Sequence, residues 1–251
     1  MPETMDEKTR MAEVKAVFED AQWYLTNRSY HVRVRVDVVQ EFLPGEKFER
    51  ILDIGCGDGS ISAPFLRAGC KLTLLDLSAK MLEIARSRVP AELAANVETF
   101  NEDFMRADLG TRRYDLIICV GVMAYIEDEK AFIEKLTALL NPNGKIITEC
   151  TDGKHFLSRM ARSYDWMRNL FARERTRLIA HSADTFVSKF REAGFQLAGT
   201  YRYSSPMRLV RKLFKQEFHY QTIRTVYGTG LHNRAARLGN ECIFHFKKMG
   251  A

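Results

Sequence analysis

Apolar positions fall into two alternating patterns along the chain. Ile51, Leu52 and Ile54 form a short apolar run that stops at Gly55, and comparable runs occupy Lys71 to Leu75, Val97 to Phe100, Tyr114 to Val120 and Lys145 to Thr151. Runs this short, bounded by Gly, Pro, Asn or Asp, predict strands, and Tyr114 to Val120 suits the centre of a parallel sheet. Between them the apolar spacing turns helical. One helix is expected from Ser60 to about Ala68 with a stop at Gly69, and a second is capped by Ser78, carries Met81, Leu82 and Ala85 on one face, and ends by Pro90. A third runs from Asp128 to Leu140, and Asn141 to Gly144 turns the chain into the fifth strand.

Both flanks of this core read as helical. Val14, Val17, Phe18, Ala21, Tyr24 and Leu25 recur at helical spacing, and a second stretch runs from Ser29 to Leu43. Beyond the fifth strand, Phe156, Met160, Tyr164, Met167 and Phe171 form an apolar stripe with Arg159, Arg162 and Arg168 off it. A helix from Ser182 or Asp184 to Gly194 leads to a sixth strand, Phe195 to Tyr203. A basic amphipathic run from Met207 to Lys215 precedes a seventh, Glu241 to Lys248, able to pair beside the fifth or sixth. The expected fold is α/β: a doubly wound, seven-stranded, mainly parallel sheet with N-terminal helices and helical insertions after strands five and six. We expect one domain over residues 1–251, divided into an N-terminal helical segment (1–44), a core (45–151) and two insertions (152–182 and 205–240).

Chemistry enters at the first strand end. Gly55, Gly57 and Gly59 let the backbone pass close to a ligand, and a helix start after them would offer free N–H groups. Asp76 closes the second strand about 20 residues after Gly57, the separation between a glycine turn and a ribose-gripping carboxylate. An adenosine-containing cofactor follows. A dinucleotide fingerprint would read G-x-G-x-x-G, whereas here the spacing is G-x-G-x-G with Ser60 at the sixth position.

The string D-x-G-C-G-x-G, Asp53 to Gly59, closely resembles motif I of the class I S-adenosylmethionine (SAM)-dependent methyltransferases. Leu140, Pro142, Gly144 and Lys145 match a further L-x-P-x-G-K pattern of that family. The resemblance covers about residues 45 to 150. It implies a Rossmann-like SAM-binding core, S-adenosyl-L-homocysteine as product, and a cofactor site containing Asp53, Gly55, Gly57 and Gly59. It also implies Asp76 on the ribose, Leu77 and Met81 beside the adenine, and Asp103 accepting from the adenine amino group with Phe104 next to it, Glu102 being the rival of Asp103. Backbone near Val120 and Gly121 would hold the methionine part. The segment 1–44 would be a lid, with Tyr24, Tyr30 and Arg33 as candidates for its inner surface, and the insertions would form the acceptor side. Tyr125 would face the transferring methyl, and His155, His181 and Tyr125 are the candidate catalytic groups. Glu149, inside strand five, reads as structural. The N-P-P-Y or D-P-P-Y string of amino-group methyltransferases acting on adenine or glutamine is missing at Gly121 to Ile126.

Composition narrows the partners. The longest apolar run, around Leu116 to Ile126, is too short to span a bilayer, and no basic start with an apolar stretch opens the chain, so a cytoplasmic protein is expected. The five cysteines form no C-x-x-C pair and lack histidines at zinc-ligand spacing, so reduced buried thiols and no metal are expected. The net charge of +6 is uneven: 152–182 carries seven Lys/Arg against three Asp/Glu, and 205–240 seven against one. Two basic insertions point to an anionic acceptor, and together with the methyltransferase resemblance this implies a small anionic molecule methylated on oxygen or nitrogen. A sequence pI near 9.1 makes RNA or protein acceptors an alternative, nucleic acid being less favoured for want of a recognisable binding module. A non-catalytic partner subunit is a third class, against which the intact glycine turn and Asp76 speak.

Overall fold

The computed structural model describes residues 21–169, 179, 181–205 and 213–249. Helices α1 (Ala21–Asn27) and α2 (Ser29–Phe42) precede strand β1 (Arg50–Ile54). The chain then runs through β2 (Lys71–Leu75), α3 (Ala79–Ser87), β3 (Val97–Phe100), β4 (Tyr114–Cys119), α4 (Glu129–Leu139) and β5 (Leu140–Thr151). Helices α5 (Phe156–Asn169) and α6 (Ala183–Glu192) lead to β6 (Phe195–Tyr203), and α7 (Gln216–Tyr227) to β7 (Glu241–Lys248).

These strands form one sheet in the order β3-β2-β1-β4-β5-β7-β6. β1 to β5 pair in parallel, and β7 lies antiparallel between β5 and β6. The expected α/β doubly wound, mainly parallel architecture is the one found. Both faces are covered, which is why β1 and β4 read as near-continuous apolar runs. One face packs against Phe132, Ile133 and Leu136 of α4 and Phe186 and Phe190 of α6. The other packs against Val34, Val38, Val39 and Phe42 of α2, Leu82 and Ala85 of α3, and Ile223 and Tyr227 of α7.

Three expectations need correction. No α-helix spans Ser60 to Ala68; after one helical bond from the Ala63 amide to the Gly59 carbonyl, the chain tightens into a 3-10 turn, Ala63–Phe65. Pro64 has no N–H to continue the ladder toward Ser60, so the helical turn is not propagated. Residues 141–144 do not separate helix from strand. They bulge out within β5, because Leu140 already pairs with Tyr114 and Lys145 resumes opposite Leu116, with Asn143 at φ 62°. The apolar stripe of α5 does not face inward where it is described: Phe156 is 51% and Met160 63% exposed. Among its described side chains α5 is tied by polar contacts, the Asn240 amide on the Ser158 hydroxyl (3.0 Å) and Arg162 on the Gly153 carbonyl. Val14, Val17, Phe18, the side chains of Tyr164, Met167 and Arg168, Phe171 and the run from Met207 to Lys212 lie outside the described residues.

α2 is part of the core as much as a cover. Its outer side is clamped by α7, where Tyr220 donates to Asp37 and Arg224 pairs with Glu41. Among the described residues no helix is long and apolar enough to cross a membrane. All five cysteines are buried and unpaired.

Candidate functional site

The β1 end builds a cradle. Gly55, Gly57 and Gly59 sit at φ 65°, 54° and 73°, backbone that a side chain strains. A Cβ on Gly55 would lie 2.6 Å from Val122 Cγ2 and one on Gly59 3.1 Å from Ala85, so these two glycines serve close packing. A Cβ on Gly57 would meet nothing within 4 Å. Gly57 therefore faces open space, the place a ligand can take.

Asp76 ties the cradle to the β2 end. Its Oδ2 accepts the Gly57 N–H and its Oδ1 the Ser78 N–H, both at 2.8 Å. The Ser78 hydroxyl in turn caps α3 at the Met81 amide. Asn101, unremarked in the sequence, fixes this turn by donating Nδ2 to the Asp76 and Leu77 carbonyls at 3.0 and 2.9 Å. Burial raises the Asp76 pKa, opposed by the Ser78 and Gly57 amides. Each carboxylate oxygen keeps a lone pair for a further donor. Asp53, buried at the base of the cradle, is pushed up to about 7, first by burial and then by Asp76 and Asp58, with Ser62 pulling the other way. Its Oδ2 has no partner among the described residues.

The adenine-side candidates separate. Leu77 is half-buried and so accessible beside Asp76, while Met81 is 1% exposed and presents no surface to a ring. Phe104 is 4% exposed, packed edge-on against Phe132 at 5.3 Å and under Lys135, which leaves only its backbone to serve a ligand. Asp103 spends Oδ1 on the Met105 amide at 2.6 Å and is half-buried, as is Glu102.

At the β4 end, buried Val120 and half-buried Gly121 (φ 84°) lead into the 3-10 turn Met123–Tyr125. Over Gly121 lies a guanidinium, but it is that of Arg35: a Cβ there would be 3.2 Å from Arg35 Nη1. Arg33 points elsewhere, pairing with Glu217 on the surface and stacking on Tyr220 at 3.8 Å. The helix turns 100° per residue, so two positions put Arg33 and Arg35 on different sides of α2. Tyr24 and Tyr125 come close enough to act on one another electrostatically. Burial first, then Tyr24, raises the Tyr125 phenol, while Arg35 and Arg28 lower it. Tyr30 is buried in the core against His219.

Behind Arg35 stands a polar cluster that sequence reasoning missed. Arg35 pairs with buried Glu149, whose Oε1 accepts the Tyr203 hydroxyl at 2.9 Å. The Tyr203 oxygen is also 3.0 Å from His31 Nε2, and because its one proton goes to Glu149, His31 must be the donor there. Burial alone would lower Arg35; Glu149 and then Tyr203 and Tyr24 hold it well above its ordinary value. Glu241 sits directly across from both Thr151 and Tyr203, and the Thr151 hydroxyl donates to its Oε2 at 2.9 Å. Burial first, then Glu149, raises Glu241, against Thr151, Arg35 and Arg28.

Neither histidine candidate is available as a base. His181 is 4% exposed, with Nδ1 on Glu129 and Nε2 on the Met123 carbonyl at 2.7 Å. His155 Nδ1 accepts the Leu157 amide at 3.3 Å, which leaves Nε2 to donate to the Arg237 carbonyl at 3.0 Å. Both rings staple loops together, each with both nitrogens committed. Glu149 is structural in the sense expected, yet it belongs to the cluster next to Gly121.

Comparison with known proteins bears on the family and the fold. A family model described as a methyltransferase domain matches residues 24–198. A ubiquinone biosynthesis O-methyltransferase of Actinobacillus pleuropneumoniae serotype 5b (strain L20) is 30% identical over 134 residues, 49% of this chain and 57% of that protein. The chain spans about half the length of the curated relatives it matches. Magnesium protoporphyrin IX methyltransferase of Synechocystis PCC 6803, solved with bound SAH, superposes at TM-score 0.63 and 20% identity, over 97% of this chain and 100% of that one. A SAM-dependent methyltransferase of Thermotoga maritima, titled a possible histamine N-methyltransferase, does so at TM-score 0.63 and 16% identity, over 93% and 99%. At such identities the two structures speak for the fold, and their acceptors differ.

Proposed function

The chain belongs to the methyltransferase-domain family, and we propose that it transfers the methyl group of S-adenosyl-L-methionine to an oxygen of a small molecule, releasing S-adenosyl-L-homocysteine. The observation that carries the reading is the open face of Gly57 beside the doubly anchored Asp76. That pairing fits a ribose diol on the carboxylate with the rest of the cofactor lying along the glycine turn. The unpartnered Asp53 Oδ2 fits an amino group. Leu77 borders the adenine, Asp103 or Glu102 receives its amino group, and the backbone at Val120 and Gly121, under Arg35, supports the methionine end. Arg35 takes the part that the resemblance had suggested for Arg33.

When bound, SAM supplies a sulfonium whose methyl is electrophilic without a metal. The chain's own residues then have to orient the acceptor oxygen and keep water out. Tyr24 and Tyr125 are suited to wall that space. The exposed cations Lys154 and Arg159, after β5 in the chain, and Arg234 and Arg237, before β7, favour an acceptor that carries negative charge away from its reacting oxygen. The oxygen preference draws its support from the O-methyltransferase relatives.

Calorimetry tests the cofactor. SAM and S-adenosylhomocysteine should bind and NADH should not. Asp76→Ala should weaken both by about 3 kcal/mol, a factor on the order of 10² in Kd, since hydrogen bonds to a charged group are lost. Tight NADH binding, or SAM binding indifferent to Asp76, would overturn the assignment.

A further inference from the structure

We propose that Glu241 takes the proton from the acceptor's hydroxyl, with Glu149 as the fixed carboxylate behind it, and that the acceptor is an aromatic or enolic alcohol. This rests on the methyl-transfer reading above. Four observations lead there. First, topology brings Glu241 to the reacting edge: as the first residue of an antiparallel strand it lies opposite Thr151 and Tyr203, the last residues of β5 and β6. Second, its face is the α2 face, the side on which its register partner Tyr203 and the next-but-one residue Ile243 pack, and Arg28 and Arg35 act on Glu241 and on Tyr125 alike. Third, the two carboxylates are differently occupied. Glu149 has Tyr203 on Oε1 and Arg35 on Oε2, whereas Glu241 has Thr151 on Oε2 and, among the described residues, nothing on Oε1. Fourth, Glu149 is buried while Glu241 keeps partial exposure.

The groups facing Glu241 are Arg28 and Arg35 from the α2 side, Glu149 and Thr151 from β5, and Tyr203 from β6. Their balance lifts its proton affinity, the burial and Glu149 outweighing Thr151, Arg35 and Arg28. A carboxylate lifted in this way matches acidic hydroxyls, not alkyl alcohols, since proton transfer is most effective between groups of similar pKa. A carboxylate acceptor, which has no proton to lose, would meet two negative charges instead. In the step itself the O–H bond breaks and its proton goes to Glu241 Oε1. The oxygen's electron pair forms the new bond to carbon, and sulfur keeps the pair of the broken C–S bond. The acid formed then returns its proton to water.

The test uses 4-nitrophenol, yellow only as its phenolate, on the full chain saturated with S-adenosylhomocysteine at pH 8. With wild type, binding should bleach the yellow, because Glu241 favours the probe as a hydrogen-bond donor. With Glu241→Gln, binding should keep or deepen it, because Arg28 and Arg35 then dominate. With SAM, transfer to unsubstituted phenol, which keeps its proton at pH 8, should fall on the order of 10²-fold or more in kcat in Glu241→Gln, recover partly in Glu241→Asp, and leave KM and S-adenosylhomocysteine affinity within about twofold by the same logic. A wild type that binds S-adenosylhomocysteine but neither binds 4-nitrophenol nor methylates phenol, or a Glu241→Gln variant that matches wild type in colour and rate, overturns this proposal alone. Failure of the wild type to bind S-adenosylhomocysteine overturns the function beneath it.

Discussion

The three glycines of the cradle share a left-handed backbone but not their surroundings, and replacing each by alanine should therefore separate stability from binding. The backbone alone costs an alanine about 1–2 kcal/mol at such φ values. For Gly57→Ala that is the whole cost, because the new methyl meets nothing within 4 Å. For Gly59→Ala the methyl is 3.1 Å from Ala85 Cβ, and for Gly55→Ala 2.6 Å from Val122 Cγ2. Overpacking of that kind adds roughly 1–3 kcal/mol. Unfolding in urea should then rank the variants Gly57→Ala, Gly59→Ala, Gly55→Ala in increasing damage, with melting shifts of about 2–4 °C per kcal/mol for a chain of this size. S-adenosylhomocysteine affinity should rank them otherwise, Gly57→Ala losing the most because its methyl occupies the ligand's space. A double-mutant cycle of Gly55→Ala with Val122→Ala should show a favourable coupling on the order of 1 kcal/mol, as the smaller residue 122 makes room. If Gly57→Ala binds as wild type does, the open face of Gly57 is not where the cofactor lies.

The histidines give a second contrast: His155→Ala should leave turnover within about threefold and cost about 1 kcal/mol as a lost cap, whereas His181→Ala should cost about 1–3 kcal/mol by stranding buried partners, with S-adenosylhomocysteine binding retained by the folded fraction; a collapse of kcat in His155→Ala at unchanged stability would restore it as a base. Stability against pH provides another. Asp53 is raised from 3.8 to about 7, so the folded state holds the extra proton and stability falls between about pH 4 and 7, by roughly 4 kcal/mol overall. His245, lowered from 6.5 to about 4 chiefly by burial, does the reverse: the unfolded state holds the extra proton and stability rises by roughly 3 kcal/mol over pH 4 to 6.5. The two slopes oppose each other. Urea unfolding of Asp53→Asn should expose the rise and that of His245→Phe the fall, and parallel profiles in the two variants would refute the assignment. Arg33→Met should leave cofactor affinity unchanged while Arg35→Met lowers it, measured by calorimetry; equal effects would mean that α2 is presented the other way round.

What the sequence carried was the repeat of buried strand, turn and helix, because in a parallel sheet covered on both faces each strand is apolar throughout and each turn needs Gly, Pro, Asn or a capping Ser. The β1 turn, Asp76, the Ser78 cap and the seventh strand were all legible in that way. The helix after β1 was not, since the apolar pattern of Ser60 to Ala68 is helical and one residue, Pro64, overrides it. Arg35 was hidden because an arginine in a helix gives no sign of which face it is on until the buried valines are known. With Val34, Val38 and Phe42 inward, Arg35 and His31 follow on the same side and Arg33 does not. The histidines misled because a histidine between elements reads alike whether its nitrogens are free or spent, and here the partners, Arg237 and Glu129, lie 82 and 52 residues away.

The polar cluster shows why acceptor chemistry is the least legible layer. The inner stripe of α2 changes character along its length. Its C-terminal half, Val38, Val39 and Phe42, packs on apolar strand centres, and its N-terminal half, His31 and Arg35 with Arg28 just before it, meets the strand ends. A helix laid along parallel strands must present polar groups wherever those strands run out, or leave carboxylates buried without partners. The insertion of β7 between β5 and β6 then does what no local pattern can. It reverses one strand so that its first residue, Glu241, arrives at the same edge as the last residues of its neighbours, and 92 positions of sequence close into one charged pair with Glu149. An unpaired buried carboxylate would be expelled or protonated; Arg35 and Tyr203 fix Glu149, and Glu241 is left as the member of the pair with an oxygen to spare. The same edge that fixes the fold's topology thereby creates a proton acceptor next to the turn at Gly121, and it does so with residues none of which stands in the motif that identifies the family.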